Sequence, residues 1–226
     1  TDSLDEVAIT LIRDRLDQLA ELDKRREAIL KSLEEHGHLN DDLQNKVDAA
    51  KTLTELEDIY LPYRPKRRTR ATIAREKGLE PLAQQVFDQE NIDPEQEAQN
   101  YIDTDKEVHT IEDALAGARD IIAEWVSENQ QAREQMRNLY ETRGTFRSKL
   151  IPGKEEEGAK YRDYFEWQEA VSQAPSHRIL AMRRAEKEGI LTMRVLPPED
   201  DAIASLESLF VTAQNKATDQ VKLAIE

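Results

Sequence analysis

Residues 111–125, I-E-D-A-L-A-G-A-R-D-I-I-A-E-W, are the stretch that decides the fold class. Apolar side chains recur along it at intervals of three and four residues, which is the spacing of one face of an α-helix. These side chains are Ile111, Leu115, Ala118, Ile122 and Trp125. Thr110 precedes them as a helix N-cap. The pattern predicts an amphipathic helix whose apolar face is buried in a core.

The same periodicity extends to both ends of the chain. From Leu4 to Leu33 an apolar face continues with no Gly or Pro before Gly37, which predicts one helix of roughly 32 residues and about 48 Å. From about Asp200 to Ile225 a second face continues to the last residues. The two patterns predict long, coiled-coil-like terminal helices, the second one cut in mid-pattern.

Short signals divide the region between these helices. Thr54 and Glu57 form a T-x-x-E pair that predicts the capping box of a short helix, and this helix stops at Pro62. Gly78 reads as the left-handed end of the following helix. Residues 88–113 contain ten acidic residues and one basic residue, and we interpret them as a negative surface patch.

Two segments after residue 143 echo each other. G-T-F-R-S-K-L-I-P at 144–152 and G-I-L-T-M-R-V-L-P at 189–197 share the Gly, the basic residue five positions later and the final Pro. In the second segment, apolar Leu191, Met193 and Val195 alternate with polar Thr192 and Arg194, which is typical of a half-buried strand. We expect 145–151 and 190–196 to be the only extended segments and to pair with each other. Gly144 and Gly189 should then have positive φ, so that Val at Gly189 costs more than Val at mid-helix Gly117.

Composition excludes several classes of protein. The chain has 226 residues, a formal net charge of -15 and no Cys, so it has no disulfide framework and no thiolate chemistry, and it fits a reducing cytoplasm. No stretch approaches the roughly 20 apolar residues of a membrane span. Because it starts at Thr1 and its last residues still follow a helical pattern, we expect a piece of a longer protein.

One strongly basic run lies within this acidic chain. Between Arg64 and Lys77 there are seven basic residues and one acidic residue. We name Arg64, Lys66, Arg67, Arg68 and Arg70, with Tyr60 and Tyr63, as candidates for nucleic-acid or interdomain contact. The cations suit phosphates and the rings suit base stacking. Alternatively, Pro62 and Pro65 stiffen a connector that the tyrosines anchor onto the helices. Both interpretations stay open.

The residues give no sign of catalysis. His36 and His38 flank a turn glycine, but no third ligand has a metal-site spacing, so we predict no metal site. The Gly153–Lys154 pair lacks the upstream Gly and the following Ser or Thr of a phosphate loop. None of the glycines forms a dinucleotide fingerprint. We therefore expect no catalytic residue and no cofactor.

Several blocks resemble the Tex family of bacterial transcription accessory proteins. They include 55–83, spelled E-L-E-D-I-Y-L-P-Y-R-P-K-R-R-T-R-A-T-I-A-R-E-K-G-L-E-P-L-A, and R-R-E-A-I-L-K-S-L-E-E-H-G at 25–37. A-L-A-G-A-R-D-I-I-A-E at 114–124, P-G-K-E-E-E-G-A-K-Y-R-D-Y-F at 152–165 and P-S-H-R-I-L-A-M-R-R at 175–184 follow in family order. The resemblance implies a mostly helical scaffold from a multidomain protein. The family's RNase H-like, helix-hairpin-helix and RNA-binding domains then lie outside this chain.

The expected fold is mainly α, an elongated helical bundle with long terminal helices and, where the echoed strands pair, one small two-stranded sheet. We expect a long helical arm at 1–53, a helical subdomain at 54–143, a small α/β element at 144–198 and the start of a long C-terminal helix at 199–226.

Two functional hypotheses follow. In the first, the chain is the scaffold of a cytoplasmic factor that binds RNA or DNA in transcription, mainly through domains outside this sequence. In the second, it is a protein-interaction module that docks onto the transcription machinery without touching nucleic acid. Neither hypothesis involves a membrane.

Overall fold

Two compact units make up the chain in the computed structural model, which describes residues 5–65 and 67–226. The first unit comprises the residues up to Thr69 together with Glu128–Gln130. The second comprises Arg70–Ser127 and Gln131–Glu226. Helices dominate both units, as predicted. Among the described residues, no helix is long and apolar enough to cross a membrane.

Three helices form the first unit. They are α1 (Glu6–Glu35), α2 (Asp41–Ala49) and α3 (Leu53–Tyr60), followed by a 3₁₀ turn at Leu61–Tyr63. The predicted long first helix is confirmed, with Asp5 as its N-cap accepting a hydrogen bond from the Ala8 amide. Only its second half reaches the core, where it contributes Leu22, Ile29 and Leu33. In its first half, Leu11 is 64% exposed and Leu16 is 60% exposed.

The capping box predicted for α3 is wrong by two residues. The sequence T-L-T-E-L-E contains two overlapping T-x-x-E pairs. Thr52, whose backbone is extended, accepts a hydrogen bond from the Glu55 amide at 3.1 Å, and the Glu55 carboxylate accepts one from the Lys51 amide at 2.6 Å. Thr54 already lies in the first helical turn, so it cannot act as the N-cap.

The second unit contains the remaining helices and one sheet. Its helices are α4 (Arg70–Glu76), α5 (Glu80–Phe87), α6 (Pro94–Gln99), α7 (Ile111–Glu128), α8 (Gln130–Arg143), α9 (Ser176–Lys187), α10 (Glu199–Phe210) and α11 (Lys216–Ile225). The core lies between α5, α7 and α11, around the stretch at 111–125. Leu115 and Ile122 are buried there, and Ile111 and Trp125 pack against the same cluster, as predicted.

The predicted single C-terminal helix is wrong, because it breaks between Phe210 and Lys216 into α10 and α11. The apolar spacing continues across the break, so periodicity alone could not reveal it. The side chain of Asn215 caps α11 by accepting a hydrogen bond from the Thr218 amide at 3.0 Å. Buried Gln89 holds the intervening residues, accepting hydrogen bonds from the amides of Thr212 and Ala213.

The sheet is antiparallel with the strand order β2–β1–β3, made by β1 (Thr145–Leu150), β2 (Glu166–Ala170) and β3 (Leu191–Leu196). The predicted pairing of the two echoed segments is confirmed by β1 and β3. The prediction that no other segment is extended is wrong, because β2 pairs along the opposite edge of β1. Its sequence E-W-Q-E-A is too polar to read as a strand, and Glu169 is accommodated through an ion pair with Arg178.

The two echoed glycines differ in conformation. Gly189 has φ +71°, as predicted for the residue after a helix end. The prediction of a positive φ at Gly144 is wrong, since its φ lies outside the left-handed region. Gly144 is required for another reason. A Cβ there would lie 2.1 Å from the Tyr140 carbonyl oxygen, because the chain turns directly from α8 into β1.

Candidate nucleic-acid interface

Tyr60 is part of the core of the first unit. Its side chain is only 6% exposed, and its hydroxyl lies 2.7 Å from the Ser32 hydroxyl of α1. The Arg25 guanidinium lies over the ring, 5.7 Å from its centroid. A hydrogen bond from Arg25 to the Glu57 carboxylate outweighs partial burial and raises the pKa of Arg25, so this cation stays charged beside the ring. Tyr60 anchors α3 to α1 and is not available for stacking on a base.

Tyr63 is the more accessible of the two tyrosines. Its side chain is 37% exposed, and its ring centroid lies 5.6 Å from that of His38, with the rings tilted by 49°. The 3₁₀ turn that carries it forms because Pro62 ends α3, and the Arg64 amide then donates to the Tyr60 carbonyl oxygen at 3.0 Å. This turn directs the chain into the basic segment.

The first half of the basic run is exposed. Arg64, Arg67 and Arg68 all have exposed side chains in an irregular segment of the first unit. Lys66, the other predicted contact residue of this half, lies outside the described residues. These side chains place positive charge at the surface of the first unit, which is the chemistry needed to contact phosphates.

The second half of the run is used within the second unit. Arg70 opens α4 and lies 3.3 Å from the Asp120 carboxylate, with the Arg70 side chain 86% exposed. Such exposed pairs contribute little to stability. Lys77 donates to the Glu107 carbonyl oxygen at 2.9 Å, which ties the basic run to the acidic region at 88–113.

Among the cations of the basic run, Arg75 is held by ion pairs to two glutamates of other helices. Partial burial opposes its charge, but hydrogen bonds to Glu124 at 2.6 Å and Glu80 at 3.1 Å outweigh burial and raise its pKa. Glu124 belongs to α7 and its side chain is 10% exposed. The sequence analysis did not single out Arg75. Its partners Glu80 and Glu124 lie in other helices, so no local pattern in the sequence indicates the pairing.

An open groove of about 1100 Å³ lies in the second unit between α7, α8 and α11. Its floor is apolar and includes Val126, Met136 and Leu223, while Arg70, Asp120 and Glu141 belong to its lining.

The histidines are not assembled into a metal-binding cluster in the described part of the chain. His36 lies at the C-cap of α1, where its Nδ1 is 2.7 Å from the Ser32 carbonyl oxygen, and His38 packs against Tyr63. Within residues 5–65 and 67–226, no group of three His, Asp or Glu side chains is arranged to hold a metal ion.

Comparison with known proteins places these features in a family. Residues 89–224 match the family model described as Tex central region-like. Protein YhgF of Escherichia coli is 46% identical over 85% of this chain and 25% of its own length. Transcriptional accessory protein Tex of Neisseria gonorrhoeae is 39% identical over 92% of the chain and 27% of its own length.

A more distant relative is the human S1 RNA-binding domain-containing protein 1, which is 24% identical over 86% of this chain and 20% of its own length. The chain thus spans about a quarter of the length of the curated bacterial relatives named here. The matched region includes α7, the sheet and nearly all of the broken C-terminal helix pair, whereas α4 and α5, which also contribute to the core of the second unit, lie before it. The chain belongs to the Tex family of transcription accessory proteins.

Proposed function

We propose that this chain is the helical scaffold region of a Tex-like transcription accessory protein that acts on nucleic acid, RNA above all, in the cytoplasm. The observation that carries the scaffold role is the use of Tyr60, Arg75 and Lys77. Tyr60, just before the basic run, and Arg75 and Lys77 within it hold helices and loops of the protein's own units. The family membership supports the role in transcription.

We place most of the nucleic-acid binding in regions of the full-length protein beyond this chain. The printed name of the human relative supports this division, since it names an S1 RNA-binding domain in a protein of which the chain matches one fifth. The net charge of -15 also opposes tight binding of a polyanion by this region alone. We further propose that the chain has no catalytic activity and needs no cofactor.

A second candidate function is a protein-interaction module that docks on the transcription machinery. The apolar face on the first half of α1 favours it, because Val7, Leu11 and Leu16 are more than half exposed. A capture experiment with purified RNA polymerase distinguishes the two functions. Binding of polymerase that is lost in a Leu11→Ser/Leu16→Ser variant, together with no binding of nucleic acid, would establish the module in place of the scaffold.

The direct test measures binding of the chain to single-stranded RNA and DNA by fluorescence anisotropy at several salt concentrations. We expect weak binding, with a slope of about −0.7 in log K against log salt for each phosphate contact. The matched comparison is the variant Lys66→Gln/Arg67→Gln/Arg68→Gln. Sub-micromolar affinity at physiological salt that this variant abolishes would contradict the scaffold role and assign direct contact to the basic run.

A further inference from the structure

The register of the sheet separates its residues into two faces. Residues that are directly opposite in neighbouring strands project to the same face. The inner face carries Ser148, Trp167 and Met193 in one row, and it is covered by α9 and by the 3₁₀ helix at Ala159–Tyr164, with Tyr161, Ala185 and Leu191 in the local core. The outer face is left to solvent.

The outer face carries a cluster of cations. Arg147 in the central strand is directly opposite Arg194 of β3 and Gln168 of β2. Lys149, two residues further along β1, is directly opposite Thr192 and Glu166. The side chains of Arg147, Lys149 and Arg194 are all exposed. Lys149 and Arg194 are also the basic residues that the two echoed segments share.

Several other cations of the same α/β element form ion pairs. Lys160 pairs with Glu188, Arg178 with Glu169, Arg183 with Glu186 and Lys154 with Glu157. By contrast, no carboxylate in the described part of the chain forms an ion pair with Arg147, Lys149 or Arg194, although Glu166 lies on the same face. The chain has a net charge of -15, so these three cations without ion pairs form a locally positive surface on a negatively charged protein.

Like charges directly opposite each other destabilise a pair of strands. Arg147 and Arg194 are such a pair, with Cα atoms about 4.5–5.5 Å apart as in any antiparallel ladder. An anionic ligand bridging the two guanidinium groups would relieve this repulsion. The arrangement is therefore better suited to a bound state than to the free protein.

The chemistry of the face favours a phosphate chain over a protein partner. Protein interfaces are organised around a buried apolar centre, whereas the large apolar side chain at this face is Leu196, only 36% exposed and at the end of β3. The aromatic residues of the strands, Phe146 and Trp167, project to the inner face, so bases have no stacking platform here. Contacts with the backbone of a polynucleotide need only cations.

We propose that the outer face of the sheet, formed around Arg147, Lys149 and Arg194, is a sequence-independent contact site for the phosphate backbone of single-stranded nucleic acid. The proposal rests on the proposed role in a nucleic-acid-binding factor and deepens it by assigning a site within this chain. Three phosphate contacts correspond to a slope of about −2 in log K against log salt for a single strand. Such a site holds a strand weakly and adds to affinity provided elsewhere in a longer protein.

The test uses the whole chain and a fluorescein-labelled oligouridine of 20 nucleotides, titrated by anisotropy between low and physiological KCl. The variant Arg147→Gln/Lys149→Gln/Arg194→Gln removes the site. A matched control, Lys24→Gln/Lys31→Gln/Lys46→Gln, removes the same charge from exposed positions in the first unit. We expect the site variant to lose more than tenfold in affinity at the lowest salt and most of the slope, and the control to stay within about twofold of the unmodified chain.

Equal binding by the site variant and the control would overturn the site. Binding that is instead lost in the variant Arg64→Gln/Arg67→Gln/Arg68→Gln would assign the contact to the basic run. If the unmodified chain fails to bind at 20 mM KCl, the site is wrong while the scaffold role stands. If polyglutamate of equal charge displaces the oligouridine at an equal concentration, the proposed nucleic-acid ligand is wrong. The site would then bind an acidic protein segment.

Folding of the variants is checked by thermal unfolding monitored by circular dichroism. Because the site variant removes a like-charge pair from an exposed face, its midpoint should not fall below that of the unmodified chain. The variant Arg147→Lys/Arg194→Lys keeps the charges and should retain the salt slope. Loss of the slope in this charge-conserving variant would contradict simple phosphate contact.

Discussion

At the scale of single residues, Gly117 shows how packing overrides local conformation. From the sequence, we predicted Gly117 to be an ordinary glycine in the middle of a helix, which a larger residue could replace at little cost. In the structure, a Cβ at Gly117 would lie 2.3 Å from Leu79 Cδ1 and 3.3 Å from Ala74 Cβ. Both neighbours are buried, so Gly117 is what allows α7 to approach α4 and the start of α5 closely. Gly189 has a left-handed φ but open space around it.

The predicted order of the two glycine substitutions is therefore reversed. We expect Gly117→Val to destabilise by more than Gly189→Val, since overpacking of a close-packed core costs about 1–3 kcal/mol or more. Strain of a left-handed residue at Gly189 costs about 1–2 kcal/mol. Urea unfolding of the two variants measures the loss in free energy of unfolding caused by each substitution. A larger loss at Gly189 would show that Leu79 moves aside at little cost.

Leu115 tests the core of the second unit. It is 4% exposed in the cluster that surrounds α7, so Leu115→Ala should lower the free energy of unfolding by about 2–5 kcal/mol. The matched control is Leu180→Ala on α9, where the side chain is 68% exposed and the change should stay within about 0.5 kcal/mol. An unchanged denaturation midpoint for Leu115→Ala would contradict the placement of this helix face.

At the scale of elements, the α10–α11 junction depends on a distant side chain. Gln89 is 6% exposed, and its amide oxygen accepts hydrogen bonds from the Thr212 and Ala213 amides at 2.9 and 3.0 Å. Its amide nitrogen donates to the Phe210 carbonyl oxygen at 2.6 Å. A single glutamine thus satisfies the backbone groups that become free when the helix breaks.

Replacing Gln89 with Ala should destabilise the second unit strongly. The variant loses the hydrogen bonds from the Thr212 and Ala213 amides, each of which contributes about 0.5–1.5 kcal/mol, and it removes a side chain that is only 6% exposed from the packing. Gln84→Ala is the control, because the exposed Gln84 side chain bonds only to Asp88 four residues away. Thermal unfolding measures the midpoints of both variants, and we expect a lower midpoint for Gln89→Ala than for Gln84→Ala. Equal midpoints would mean that water replaces Gln89 without loss.

Sequence reasoning recovered the elements that carry their own signals. The helix at 111–125, the long first helix and the pairing of β1 with β3 follow from periodicity and from the repeated segments. It missed β2 and the break after Phe210, because pairing partners and Gln89 decide these from far along the chain. For the candidate interface, the sequence showed the run of cations, but only the structure distinguishes exposed Arg64 from Arg75, which is paired with Glu124.

At the scale of the whole molecule, ion pairs lower the pKa of several carboxylates in a chain with a net charge of -15. The hydrogen bond from Lys216 lowers the pKa of Asp93, and the one from Arg178 lowers the pKa of Glu169. Lys160, followed by Tyr161, lowers the pKa of Glu188. Several of these pairs join segments distant in sequence, such as Asp93 before α6 and Lys216 at the start of α11.

These depressed carboxylate pKa values predict loss of stability in acid. A carboxylate whose pKa is lower in the folded state stabilises the fold above its unfolded pKa, and this contribution disappears as the pH falls through the folded value. The temperature midpoint of unfolding should therefore decrease as the pH is lowered below about 4.5. Glu188→Gln should weaken this dependence because it removes the ion pair with Lys160, and Glu155→Gln at an exposed turn is the matched control. Identical pH profiles for the two variants would contradict the role assigned to Glu188.

The partners of Gln89 also set the order in which the chain can fold during synthesis. Phe210 and Thr212 are made 121 and 123 residues after Gln89. At about 5–20 residues per second, a ribosome needs roughly 6–24 s to add that length. Throughout this interval the apolar face of α5 lacks Val221 and the rest of α11. We therefore expect the nascent second unit to expose apolar surface, and to be sensitive to protease, until α11 has left the exit tunnel.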